Sequence, residues 1–548
     1  DTLEPHDSFY IGSDVFYTYM VQNGWWKLLM KQKTKEGYFK AAAVLRQKLL
    51  KGKFPDELKE QFQQMLEYFG QSPIIVRSSS LLEDAFGNAF AGKYDSFFCV
   101  NQGTPEQRYH LFEEAVRKVF SSTMNEDALT YRWHRGLDQH DEQMALLVQR
   151  VSGAYQKQYF FPYLAGVGFG YNAFVWHKDM NPEAGMLRLV FGLGTRAVNR
   201  VEHDYPRIIA LDKPLLRPNK DLEDTRKYSQ REVDVLNVEK NILETISINK
   251  LLGEQLALDM RLVAVRDRET AQKMKEIGLK DRDAWLLTFD KLLSETDFAQ
   301  QMREIMDTVE KVYQYPVDIE FTVNFTYKGA LKINIVQCRP LQTKGQSKPT
   351  IIPKDINSSQ VLFKSEGNFM GGSLSQKIKR IIYIDPKGYS LLPLVEKYNI
   401  ARLVGKLNKE LAAETIPTML LGPGRWGTTD PSLGVPVGFA EINNIAILGE
   451  ISDPASGLMP ELSFGTHFFQ DLVEEDVFYV ALFTEKEQVY FNKEFLDQFP
   501  NRLASLLPEK AIYQEVVKVY EVSGANIEVL ADVVSQQMIC YSSLDHND

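Results

Sequence analysis

Pro73-Ile74-Ile75-Val76-Arg77-Ser78-Ser79-Ser80, followed by Glu83-Asp84 and then Ala89-Phe90-Ala91-Gly92-Lys93-Tyr94-Asp95-Ser96, decides how the amino-terminal half of this chain is read. A short apolar run of the kind buried as a strand delivers an arginine and three hydroxyls to its end. A glycine loop flanked by donors comes next. Arginine offers a fixed fork of N–H donors, serine hydroxyls add short ones, and glycine lets backbone amides approach a polyphosphate with no Cβ in the way. The pattern suits phosphate handling; the plainer alternative is a core strand running out into a solvated loop.

A second stretch, Asp318 to Pro340, reads DIEFTVNFTYKGALKINIVQCRP. Two alternating runs flank Lys328-Gly329, which predicts a β-hairpin. Side chains alternate faces along a strand, so Asp318 and Glu320 project together, as do Gln337 and Arg339. A two-residue turn at Lys328-Gly329 sets Glu320 opposite Gln337 and Asp318 opposite Arg339, with all four polar heads on one patch. The same register sets Val323 against Asn334 and Phe325 against Lys332, a conflict that calls for a bulge or a longer loop near the turn. Carboxylate and amide oxygens are the hard ligands that Mg²⁺ takes, completed by nucleotide phosphates and water, so Glu320 and Gln337 are candidate metal ligands. A cross-strand ion pair on a solvated face is the other reading, worth under about 1 kcal/mol.

With these residues in view, the chain resembles the N-terminal nucleotide-binding domain of phosphoenolpyruvate synthase and pyruvate phosphate dikinase. The resemblance is carried by VRSSSLLEDAFGNAFAGKYDSF from Val76, LLVQRV from Leu146, FGLGTRAVNRVEHDYPR from Phe191, and the hairpin strings DIEF and IVQCRP, in that order. Four ordered motifs over more than half the chain are far more specific than a lone glycine pattern. The resemblance implies an ATP-grasp-like, two-lobed nucleotide-binding domain over residues 1–345; a smaller α/β domain over 346–548, read from its own strand and helix pattern, makes the chain α+β. The resemblance also implies ATP and Mg²⁺ as ligands, and transfer of the terminal phosphates to a histidine on a separate swivelling domain that then serves pyruvate in a barrel domain. Arg77 matches the phosphate-binding arginine, with Ser78 beside it, and Gly92-Lys93 match part of the loop over the nucleotide. Glu320 and Gln337, with Asp318 in the same patch, match metal and phosphate ligands. Arg339 matches the arginine that clamps the terminal phosphate. Arg132 resembles a further phosphate contact, or else is a surface arginine on an amphipathic helix. Gln149 and Val151 are expected to line the adenine slot.

Three departures qualify these expectations. Family members carry a Gly-Gly-Lys segment upstream of the phrase that here begins Pro5-His6-Asp7, and this chain starts at Asp1. It is therefore expected to be a fragment, with weakened ATP binding and little turnover alone, since a lysine charge near the phosphates is missing. Gly192-Leu193-Gly194-Thr195-Arg196 lacks the glutamate that usually continues that turn. Beyond residue 345 there is no Gly-Gly-x-Thr-Ser-His-Ala-like acceptor string, and no room for a barrel of about 250 residues.

The carboxyl-terminal part has its own pattern. Lys344 to Thr350 reads as a polar linker. A strand from Arg380, a helix from about Leu391 to Leu411 and a strand at Thr418-Met419-Leu420-Leu421 predict a βαβ unit running into Gly422-Pro423-Gly424-Arg425-Trp426-Gly427. Arg425 is either an anion binder or a bystander in a tight turn packed by Trp426. His467, in Gly465-Thr466-His467-Phe468, is the candidate phosphoacceptor or base, or else a hydrogen-bonded core residue beside aromatics.

Composition sets outer bounds. At 548 residues, 44% hydrophobic and 25% charged, the chain is long enough for about three to four structural units. A formal charge of −10 argues against general nucleic-acid binding, though not against a local ATP site. Cys99, Cys338 and Cys540 are few and scattered, which suits a reducing, cytoplasmic setting rather than a disulfide or zinc scaffold. No apolar stretch approaches the length of a membrane span. Helical periodicity marks 38–50, 55–69 and 106–120, strand character marks 145–151, 165–176 and 186–191, and 230–312 reads as mostly helical. Two function classes follow: an ATP-dependent phosphotransferase whose acceptor is a histidine here or on a partner protein, or a regulatory or scaffolding nucleotide binder that has lost the transfer chemistry.

Overall fold

Helices and a four-stranded antiparallel sheet form the first layer pair in the computed structural model. It describes the chain apart from residues 1–2, 4–6, 84–93, 135–136, 173–179, 199–203, 218–224, 227–228, 255–259, 270, 273–283, 327–328, 342–350, 354–355, 368, 371–372, 413–415, 429–430, 453–471, 473–476, 486, 533–534 and 544–548. The strands lie in the order Ser8–Ile11, Met144–Arg150, Ile74–Ser80, Phe97–Cys99. Tyr38–Leu49, Asp56–Phe69 and Pro105–Ser122 supply the covering helices. Pro105–Ser122 starts on a full capping box, in which Thr104 accepts from the Gln107 backbone and Gln107 returns the bond, with proline in the first turn. Asp56–Phe69 stops at Gly70, whose φ of 59° a side chain would strain. Ile74 and Val76, alternate residues of one strand, join Phe16, Tyr19, Phe112 and Phe120 in the core beneath these helices.

A five-stranded antiparallel sheet belongs to the same compact unit, which comprises Asp1–Gly170 and Gly185–Leu341. Its order is Leu331–Pro340, Val317–Phe325, Leu164–Phe169, Met186–Phe191, Arg207–Ala210. The amphipathic helix Phe298–Tyr313 packs Phe298, Met302 and Met306 into the core with Ile319, Phe321 and Leu187. A smaller sheet of Ile242–Ser247, Glu232–Asn237, Tyr159–Phe161 and Ala154–Gln156 adjoins this core. Strands Glu232–Asn237, Ile242–Ser247, Ala264–Arg266 and Trp285–Leu287 correct the expectation that 230–312 is mostly helical. Their short apolar runs carry no decisive period, and packing selects the strand.

The hairpin also differs in one detail. Its loop is Thr326 to Ala330, closed by Thr326 N to Ala330 O at 2.9 Å, with Gly329 at φ 79°. Near the loop Phe325 pairs with Leu331 and Thr322 with Asn334, one residue out of step with the two-residue turn. A bulge between Glu320 and Phe321 absorbs the offset, so Glu320 still faces Gln337 and Asp318 still faces Arg339.

The second unit comprises Tyr171–Ala184 and Gln342–Asp548. Its six-stranded sheet runs Phe369–Met370, Phe478–Phe483, Ile447–Ser452, Thr418–Pro423, Arg380–Ile384, Val517–Glu521. The four central strands are parallel, and Leu394–Ala412 crosses over between Arg380–Ile384 and Thr418–Pro423 as a βαβ unit requires. A five-stranded antiparallel sheet packs on one face, burying Phe363, Val529, Met538 and Cys540 against Met419, Leu421, Val480 and Leu482. The molecule is thus a mixed α+β chain. Among the described residues no helix is long and apolar enough to cross a membrane.

Candidate functional site

Alternation along Ile74–Ser80 aims its polar side chains. Ile74 and Val76 face the helix-covered core, whereas Ile75 packs against the core of the five-stranded sheet. Arg77, two residues on, shares the face of Ile75 and meets the hairpin. Its Nη2 donates to Glu320 Oε2 at 2.8 Å and to Gln337 Oε1 at 2.5 Å. The contact joins positions 243 and 260 residues apart in sequence. Both charged side chains are mostly withdrawn from solvent, which strengthens the charge-assisted bonds. One turn of the pleat away, Arg339 Nε and Nη2 each lie 2.8 Å from Asp318 Oδ2 in a forked cross-strand pair, with Asp318 buried. Cys338, between Gln337 and Arg339, turns to the opposite face and packs against the core, where burial raises its thiol pKa.

A third arginine belongs to this sheet face and was not among the sequence candidates. Glu320 pairs with Val167, and Val167 pairs with Arg188, so their side chains line up across adjacent strands. Arg188 is 4% exposed, lies 5.7 Å over the Phe169 ring, and its shielded Nη1 finds no hydrogen-bond acceptor among the described residues. Burial pushes its pKa down to about 10, partly offset by Asp318, which leaves it cationic at neutral pH. The legible signal was an arginine inside Met186-Leu187-Arg188-Leu189-Val190-Phe191, a strand buried at every position. Three arginines against two carboxylates leave this patch with a positive excess that suits an anion.

The remaining candidates divide. Ser78 donates to Glu83 at 2.7 Å, on the face of its strand opposite Arg77. Gln149 shares the face of Arg77, since it pairs with Ile75, and lies 3.5 Å from Ser8 Oγ. Val151 lines a cavity of about 210 Å³ with Pro73, Ser152, Phe160 and Asn334. Asn334 lies on the face of the hairpin that carries Glu320, and its buried Oδ1 has no donor among the described residues. Arg132 is not the surface arginine of the alternative reading. It is 2% exposed and donates to Glu142 at 3.1 Å, and Glu142 also accepts from Tyr94 and, at 2.5 Å, from Ser80. Desolvation alone would lower the pKa of Arg132, but Tyr94, Tyr38 and Glu142 outweigh it and raise the value. Gly92, Lys93 and His467 lie outside the described residues.

Arg196, in the glycine turn that lacks the expected glutamate, is gathered by Asp204, by Glu232 at 3.1 Å and by Asp234 at 3.3 Å. Gly192 holds the turn at φ 86°, where a Cβ would lie 2.1 Å from Val233. Among the described residues no group of three or more His, Cys, Asp or Glu is arranged to hold a metal ion.

Known proteins resemble part of this chain. Phosphoenolpyruvate synthase of Escherichia coli (strain K12) is 24% identical over 357 residues, covering 63% of this chain and 37% of that protein. The uncharacterized phosphotransferase YvkC of Bacillus subtilis (strain 168) is 24% identical over 303 residues, 55% of this chain and 28% of that protein. Rifampicin phosphotransferase of a Streptomyces species is 35% identical over 111 residues, 20% of this chain and 12% of that protein. The matched part thus spans little more than a third of the length of the first of these relatives. The model of one family, described as pyruvate phosphate dikinase, AMP/ATP-binding domain, matches residues 1–360, and the chain belongs to that family.

Proposed function

We propose that the first unit binds ATP with Mg²⁺ between two ATP-grasp-like lobes and hands a phosphoryl group to a histidine or another acceptor, as the ATP-binding portion of a synthase- or dikinase-type phosphotransferase. The observation that carries this reading is the meeting of Arg77 with Glu320 and Gln337. Segments so distant in sequence have no structural need to share a polar cluster, and a buried cluster costs desolvation that function repays. Glu320 and Gln337 bring two hard oxygens to one place and would be the residues to hold Mg²⁺, which would supply charge neutralisation for the phosphates, while Arg77 would answer the phosphate charge. Arg339 and Arg188 add positive charge on the same sheet face, where developing phosphoryl charge is stabilised. The 210 Å³ cavity by Val151 and Asn334 is the candidate for the base end, with Val151, Pro73 and Phe160 as apolar contacts among polar groups that include Asp7, Arg150 and Ser152.

In this reading the nucleotide domain spans about 1–345 and the second domain 346–548, in a cytoplasmic protein. Gly92 and Lys93 are candidate phosphate-binding residues, Arg132 holds Glu142 in the supporting lobe, and His467 stays an acceptor candidate. A second reading, a regulatory nucleotide binder without transfer, is favoured by one observation: Arg339 is satisfied by Asp318 and Arg77 by Glu320, so each pair is stable without a ligand. Incubation of the chain, and of any longer form, with Mg²⁺ and ATP labelled at the β or γ phosphate separates the two. AMP release with label on a histidine supports dikinase chemistry. Saturable ATP binding without AMP or ADP supports the regulatory reading, and no binding refutes both.

A further inference from the structure

Arg425 lies at the carboxyl edge of the parallel sheet in the second unit, just past Thr418–Pro423. Gly424 makes the turn at φ 63°, and its N–H donates to Ile451 O at 3.0 Å, which sets Arg425 beside the end of Ile447–Ser452. The turn is rigid. Trp426 N–H donates to Glu450 Oε1 at 2.9 Å, Tyr479 O–H donates to the other oxygen of the same wholly buried carboxylate, and Trp426 packs over Gly422, where a Cβ would meet its ring at 2.4 Å. One Glu450 oxygen thus holds the turn, and the other is held by Tyr479 of the neighbouring strand.

Two groups at this edge are left over. Arg425 is 3% exposed, its shielded Nε has no acceptor, and it forms no ion pair among the described residues. Ser452, wholly buried at the end of the neighbouring strand, has an Oγ with no partner among the described residues, while its carbonyl accepts from Thr484 at 2.7 Å. Proteins rarely bury a guanidinium without an anion, because desolvation goes uncompensated. Ligands of α/β sheets sit outside the carboxyl ends of parallel strands, where Arg425 and Ser452 lie.

We infer that this edge is a second binding site, independent of the nucleotide reading of the first unit, for the oxyanion head of a small molecule, a phosphate or a carboxylate. Arg425 supplies the charge and the N–H fork, Ser452 a hydroxyl donor, and the Glu450-braced turn holds the arginine in place. A cation kept for a ligand is a liability without one, so the site makes an unusual demand: removing Arg425 must stabilise the anion-free protein.

Melting temperatures test this on the whole chain carrying Arg77→Met, which weakens phosphate binding at the first unit, with the same chain plus Arg425→Met as the reference at each anion concentration. Inorganic phosphate and malonate serve as separate probes, the one answering for phosphate heads and the other for carboxylates. At least one is expected to raise the melting temperature in a saturable way. Adding Arg425→Met is expected to raise the anion-free melting temperature and diminish that response, and adding Ser452→Ala to weaken apparent affinity about 3- to 10-fold. No response to either anion, a response undiminished by Arg425→Met, or a lowered anion-free melting temperature in that variant would overturn the site.

Discussion

Arg77 and Arg425 are both arginines at or near strand ends, yet the molecule treats them oppositely. Arg77 is answered twice, by Glu320 and Gln337, whereas Arg425 sits deeper and has no ion pair among the described residues. An answered arginine is stable while it waits, and a ligand must compete with its partners. An unanswered one strains the resting fold and gains most when an anion arrives. Pairing, more than burial, sets the sign of what a substitution does.

Variants along this series should break or sharpen the contrast. Arg132 is answered and fully buried, so Arg132→Met strands Glu142 and is expected to cost about 3 kcal/mol or more in denaturant unfolding. A cost below about 1 kcal/mol would remove the pair from the stability account. Arg339→Ala takes the forked partner away from the buried Asp318 carboxylate, with an expected loss of about 3 kcal/mol and phosphoryl transfer down roughly 100-fold or more. Combining Arg339→Met with Asp318→Asn should restore stability but not transfer, and recovered labelled-phosphate transfer in that double variant would exclude Arg339 from the clamp. Lys493→Met is expected to have the smallest effect, under about 1 kcal/mol, because the Lys493 pair with Asp385 is partly solvated. Burial opposes ionisation of Asp385, but Lys493 and the Gly388 N–H outweigh it and hold its pKa below the usual value. That contribution is present above the ordinary aspartate pKa and fades as pH falls through the depressed one, so wild type and variant should converge in acid. A gap that persists at low pH would contradict the pairing.

What the sequence made legible follows from period. Strict alternation in Asp318-Ile319-Glu320 and in Gln337-Cys338-Arg339 was enough to align both polar pairs, because a one-residue slip would bury charge. The loop was less legible: the bulge between Glu320 and Phe321 consumes one residue and leaves no compositional mark. Arg188 escaped notice because an apolar strand reads as core and hides its single charge. The Gly422 to Gly427 turn offered a choice between tight packing and anion binding that the fold does not force, since Trp426 packs the turn while Arg425 has no ion pair among the described residues. For Arg132 the helix pattern was visible but its partner Glu142, ten residues on, was not, as no local period links a helix to the irregular segment before the next strand.

The central claim is that Arg77, Glu320 and Gln337 form one nucleotide site. Calorimetric titration of the chain with a non-hydrolysable ATP analogue and Mg²⁺ tests it most directly, alongside Arg77→Met. Saturable binding that Arg77→Met weakens about 10- to 100-fold, with circular dichroism unchanged, is the predicted result. Equal affinity in the two proteins would contradict it.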